Sequence, residues 1–90
     1  MRRERGSGWA SSAIADLGQT RCVLRDEWLA AARAGDRAGQ DAATGKLSDL
    51  ITRYRAGGVQ PNGDISLVVD RLIEAMRSRV VASVQSEACN

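Results

Sequence analysis

The string Gly39-Gln40-Asp41-Ala42-Ala43-Thr44-Gly45-Lys46-Leu47-Ser48 comes nearest to a chemical motif in this chain of 90 residues. A phosphate-binding loop reads G-x-x-x-x-G-K-[ST], with backbone amides wrapping the phosphates and the hydroxyl on a metal ion. Here the first glycine should fall at Gln40, and Leu47 stands where the hydroxyl belongs. No strand pattern precedes the string. It reads as part of a helix, and no cofactor is expected there.

Catalysis near neutral pH needs proton-transfer groups or an activated nucleophile. The sequence has no histidine. Asp70 and Glu74 stand one helical turn apart and could pair on one face. A solvated face balanced by Arg71 and Arg77 explains them more simply. Two carboxylates without a ligand loop make a poor cation site. Cys22 has Arg21 and Arg25 nearby but also borders an apolar stripe. The two cysteines, Cys22 and Cys89, match no metal or redox spacing, and without histidine they cannot supply four zinc ligands. The expected state is two reduced thiols. A Cys22–Cys89 bridge would require the chain end to fold back beside the first helix. No enzyme activity and no metal are expected.

Arg2, Arg3 and Arg5, followed by Trp9, could serve as a nucleic-acid arm. Arginine touches phosphates, and an aromatic ring stacks on an exposed base. Net charge is +2, and these three arginines with Glu4 account for all of it. The remaining ten basic and ten acidic residues cancel. A duplex reader carries a basic excess on its folded part. Arg53-Tyr54-Arg55 and Arg71/Arg77/Arg79 are further basic spots, but no helix shows a dense basic and amide face of the helix-turn-helix kind. A solubilising tail is the plainer reading of the arm.

The elements that would position these groups are helices. Ala, Leu, Arg, Gln and Glu are plentiful, and strand formers are sparse before residue 59. Residues 1–9 read as a disordered basic tail, not a secretory leader, because no apolar run follows the charges. Ala10, Ile14, Leu17, Leu24, Trp28 and Ala31 form a heptad-like, coiled-coil-style stripe with one polar break, Arg21. Arg21 either snorkels at the bundle edge or specifies register or a partner. Ser11 or Ser12 would cap this first helix, over about 11–34. Gly35 suits a left-handed helix end and Asp36 the next N-cap. That short corner implies an αα-hairpin, a single bent helix being the rival. The second helix runs over about 37–56 on Ala43, Leu47, Leu50, Ile51 and Tyr54. Gly39 and Gly45 weaken its first half. After the turn-rich 57–63 segment, Asp64 should cap a third helix to about residue 85, with a broad face from Ile65 to Val84. Residues 86–90 should fray.

The expected fold is therefore all-α: a three-helix antiparallel bundle, hairpin plus third helix, forming one domain over 10–86. Its core is thin. Phenylalanine is absent, and Trp9, Trp28 and Tyr54 are the only aromatics. A chain this short buries only about 60% of its unfolded surface. The thin core and wide third face suggest docking on a second copy, a homodimer, or on another protein. Aromatic and arginine anchors dominate interfaces, so Arg21, Leu24, Arg25, Trp28, Tyr54 and Met76 are the expected contact residues, with Trp9 a further candidate. The expected function is a non-enzymatic helical interaction module: an adapter, assembly factor or inhibitor. The alternative is a nucleic-acid-binding regulator using the arginine tail. Lys46 is the only lysine among 13 basic residues, a GC-rich bias that points to a bacterial or phage source. No stretch approaches a membrane span, and a cytoplasmic location is expected.

Overall fold

A computed structural model describes residues 16–57 and 63–89, leaving out the side chains of residues 63 and 64. The described chain is a helical bundle: α1 (Leu17–Arg33), α2 (Arg37–Ala56), α3 (Gly63–Ser78) and a short α4 (Val81–Gln85). No strand occurs among the described residues.

The corner between α1 and α2 follows from two residues. Gly35 adopts φ +70°, a left-handed conformation that glycine enters without penalty. The Asp36 N–H donates to Ala31 O at 2.8 Å and the Gly35 N–H to Ala32 O at 3.1 Å. These two bonds close α1 as a Schellman motif. Asp36 then opens α2, its Oδ1 accepting from the Gly39 N–H at 2.9 Å. One residue thus ends one helix and begins the next, and the chain reverses.

Ion pairs record the directions. Glu27 on α1 faces Lys46 on α2 at 3.8 Å. Arg55 near the end of α2 pairs with Asp70 on α3 at 2.6 Å, while Arg79, just past α3, reaches Asp41 near the start of α2 at 2.6 Å. So α2 runs antiparallel to both neighbours. Ile65 at the start of α3 lies beside Gly18 at the start of α1, where an alanine Cβ would meet it at an ordinary 3.8 Å.

Leu17, Leu24, Trp28 and Leu29 from α1, Ala43, Leu47, Leu50 and Ile51 from α2, Val69, Leu72, Ile73 and Met76 from α3, and Val84 from α4 form one buried cluster. Tyr54 and Ile65 pack against it, partly exposed. Each fully buried large side chain contributes about 1.5–3 kcal/mol.

Three boundaries differ from expectation. Among the described residues the first helix begins at Leu17, with Asp16 at its N-cap position making no side-chain cap bond; Ser11, Ser12 and the Ala10/Ile14 end of the stripe lie outside them. The range of α3 starts at Gly63, so Asp64 is inside it and does not precede it as a cap. The third helix also does not continue to residue 85. It stops at Ser78, Arg79 turns left-handed at φ +61°, and Val80 is extended at φ −95°, ψ 106° before α4 begins. The Val80-Val81 pair, β-branched and weak in helix, sits at this break and is partly exposed. A straight helix would carry residue 89 about 16 Å beyond Ser78. The break instead sends the chain back along α1, where Val84 is wholly buried.

Candidate functional site

The densest polar construction in the described protein lies where the returning chain end meets α1. Arg21, Cys22 and Arg25 occupy a single turn of α1, so one stretch of helix surface carries two guanidinium groups and a sulfur. Cys22 is disulfide-bonded to Cys89, the two Cα atoms 5.5 Å apart. This corrects the expectation of reduced thiols. The fold-back that a bridge requires is supplied by the Arg79–Val80 break and by α4, features with no glycine or proline to mark them.

Two hydrogen bonds flank the bridge. The Arg21 Nη1 donates to Ala88 O at 2.7 Å, and the Arg25 Nη1 to Glu87 O at 2.8 Å. Both acceptors lie just past the Ser86 C-cap of α4, outside any helix, so the arginines satisfy carbonyls that no helical N–H reaches. Arg25 is held further by Asp26, whose Oδ1 lies 3.0 Å from Nη2. The Glu87 carboxylate, only 15% exposed, faces Arg71 at 3.9 Å. Residues 86–89 are therefore tied down, not frayed as their composition suggested.

Arg21 also places Nη1 3.3 Å from the Cys89 sulfur, and its Nε is buried with no acceptor among the described residues. Asp16, Gly18, Gln19, Arg21, Cys22 and Cys89 line a cleft of about 270 Å³ beside the bridge. Cys22 and Cys89 are each half-buried. The cleft opens onto a cationic group, a carboxylate and both sulfurs.

The expected contact residues divide sharply. Leu24 is 3% exposed, Trp28 0% and Met76 1%: all three are core of this fold. Apolar size marked them for contact, but all three belong to the cluster that the helices bury among themselves. Arg21 and Arg25 reach the surface but engage the chain's own end. Tyr54 stays half-buried at the edge of the core between exposed Arg53 and Arg55. Arg2, Arg3, Arg5 and Trp9 lie outside the described residues.

The other candidate groups are engaged elsewhere. Asp70 pairs with Arg55, which also donates to Ser66 Oγ at 2.7 Å, so its partner is α2 and not the expected Arg71 and Arg77. Arg77 lies 3.4 Å from Ser48 Oγ across the α2–α3 face. Asp49 and Arg53 form the i, i+4 pair their spacing implied, at 3.0 Å. The Gly39–Ser48 string is continuous helix within α2. Among the described residues no three His, Cys, Asp or Glu side chains converge as a metal site requires. No described helix is long and apolar enough to cross a membrane.

Sequence reasoning missed the role of Arg21 and Arg25. The signal was present: two arginines around a cysteine on the stripe side of α1 match carbonyl acceptors beside a second cysteine. It becomes legible only once the chain end is known to return. No known family model matches this chain, and comparison with curated proteins and with solved structures returns no significant match.

Proposed function

We propose that this protein is a non-enzymatic helical binding module for a protein partner, and that it works in its disulfide-closed form in an oxidising compartment. The observation that carries this reading is the Cys22–Cys89 bridge joining the first helix to the chain end. Small domains with thin cores gain stability from such bonds where the surroundings keep them oxidised. The cytoplasmic alternative would leave this chain with two thiols and a loosened end.

The interaction reading draws on the surface that remains. Leu67 is 63% exposed on α3, and among the described residues Val23, Val80 and Val81 are the other large apolar side chains left partly open. Arg53, Arg55 and Tyr54 supply anchor chemistry of the kind that interfaces favour. Asp70, one of the two carboxylates weighed for catalysis, is taken up in a surface ion pair with Arg55.

Two measurements test this. Alkylating the thiols in the native host, before and after reduction, reads the bridge directly; protection until reduction is expected, and free thiols in the untreated protein would overturn the oxidising compartment. Affinity capture followed by a salt wash reads the partner class. A stoichiometric protein complex that withstands raised salt is expected. A complex that dissolves as salt rises and re-forms on a bare oligonucleotide would instead assign function to the arginine tail.

A further inference from the structure

We propose that the Cys22–Cys89 bond is a thiol-exchangeable clasp with a fixed polarity: an incoming thiolate attacks Cys22, Cys89 leaves as a thiolate beside Arg21, and the chain end from Val81 onward comes free.

Three observations converge on this. First, among the described residues Arg21 is the cation in contact with the bridge, and it touches one sulfur, Cys89, at 3.3 Å. A thiol leaves faster when its thiolate is stabilised, and an adjacent guanidinium provides that stabilisation. Of the other charges near Cys89, Asp16 lines the same cleft and opposes Arg21, Glu87 is turned to Arg71, and Arg25 is occupied by Glu87 O and Asp26. Second, the cleft lined by both cysteines gives a small thiol access to the bond without unfolding. Third, the segment beyond the bond is built to release. Helix α4 has five residues, too few to persist alone. The Arg79–Val80 break interrupts its helical continuity with α3. Besides the bridge, the Arg21 and Arg25 bonds to Ala88 and Glu87, the Arg71–Glu87 pair and the burial of Val84 hold it.

The chemistry balances with a dithiol as reductant. Its first thiolate forms a bond to the Cys22 sulfur while the Cys22–Cys89 bond breaks, the electron pair passing to Cys89. The second thiol of the reductant then attacks the mixed disulfide, releasing Cys22 as a thiol. The reductant ends as a cyclic disulfide, two electrons having moved to the protein. With a monothiol such as glutathione the first exchange leaves a mixed disulfide on Cys22, and alkylating the freed Cys89 before it re-closes or a second glutathione attacks makes the polarity readable. This inference rests on the bridge and its neighbours and not on the interaction reading, which stands if the polarity fails.

The test treats the oxidised protein with glutathione without denaturant, traps free thiols with iodoacetamide, and maps both labels by peptide mass. Glutathione on Cys22 and the alkyl group on Cys89 are the expected result. In Arg21→Gln the bias disappears and reduction slows roughly three- to tenfold, while Arg21→Lys restores most of both. Hydrogen exchange on the dithiol-reduced protein should show residues 81–89 losing protection while the α1–α2 hairpin keeps it. Glutathione on Cys89 or equally on both sulfurs, an unchanged bias in Arg21→Gln, or reduction only in denaturant would overturn the polarity. Retained protection of 81–89 after reduction would overturn the release.

Discussion

Two glycines in α2 look alike in the sequence and differ in what surrounds them. A Cβ at Gly39 would overlap the Asp36 carboxylate and lie 3.0 Å from the Ala31 Cβ, whereas at Gly45 it would meet nothing within 4 Å. Gly39→Ala should therefore destabilise the protein by about 1–2 kcal/mol through loss of the cap, and Gly45→Ala should stabilise it by up to about 1 kcal/mol through helix propensity. Urea midpoints of the two variants decide this; shifts in the same direction would contradict it. Trp28 offers a second contrast. Its side chain is wholly buried, and its indole N–H has no acceptor among the described residues. Trp28→Ala should cost about 3–5 kcal/mol as a cavity. Trp28→Phe removes the unsatisfied donor along with some volume, so the two effects oppose and the loss should stay within about 1.5 kcal/mol. Equal losses in both variants would show that the N–H is satisfied. At this scale the sequence identified the buried residues well, because size and spacing mark Leu24, Trp28, Leu47, Leu50 and Leu72. Leu24 and Trp28, together with Met76, were also expected at a partner, because burial against the chain itself and burial against another chain leave the same pattern in a sequence.

Among the elements, the α1–α2 corner was readable from Gly35-Asp36, since a left-handed glycine followed by a capping aspartate has one common structural use. The break after α3 was not. Residues 77–81 contain neither glycine nor proline, and the apolar period runs on through Val80 and Val84. Tertiary bonding decides the matter: Arg79 takes the left-handed turn while its guanidinium is fixed on Asp41 at 2.6 Å, 36% of its side chain exposed. The left-handed conformation costs about 1 kcal/mol for an ordinary residue and more for a β-branched one. Arg79→Val should thus lower stability by about 1–3 kcal/mol, while Arg79→Gly, trading an exposed ion pair for a relaxed backbone, should stay near the parent. Thermal melts of the oxidised variants read this difference. A neutral Arg79→Val would mean that the turn is not under strain.

For the molecule as a whole, the bridge spans a sequence separation of 67. Closing a loop of that size restricts the unfolded chain by about 4 kcal/mol in the chain-entropy account, a large share of the roughly 5–15 kcal/mol that holds a small domain together. The Cys22→Ser/Cys89→Ser double variant should lose most of that amount in urea unfolding. A loss under about 1 kcal/mol would mean that the bond contributes little to the fold. Cysteine spacing gave no hint of this pairing, because a single pair this distant joins only if the chain end returns, and that return depends on one arginine adopting an unfavoured conformation. The pairing has a consequence beyond stability. Residues 22 to 89 form a covalent ring, so a protease that cuts the backbone once within it opens the ring without dividing the molecule. A nicked protein would run as one band on a non-reducing gel and as two after reduction, both halves of its core still held together.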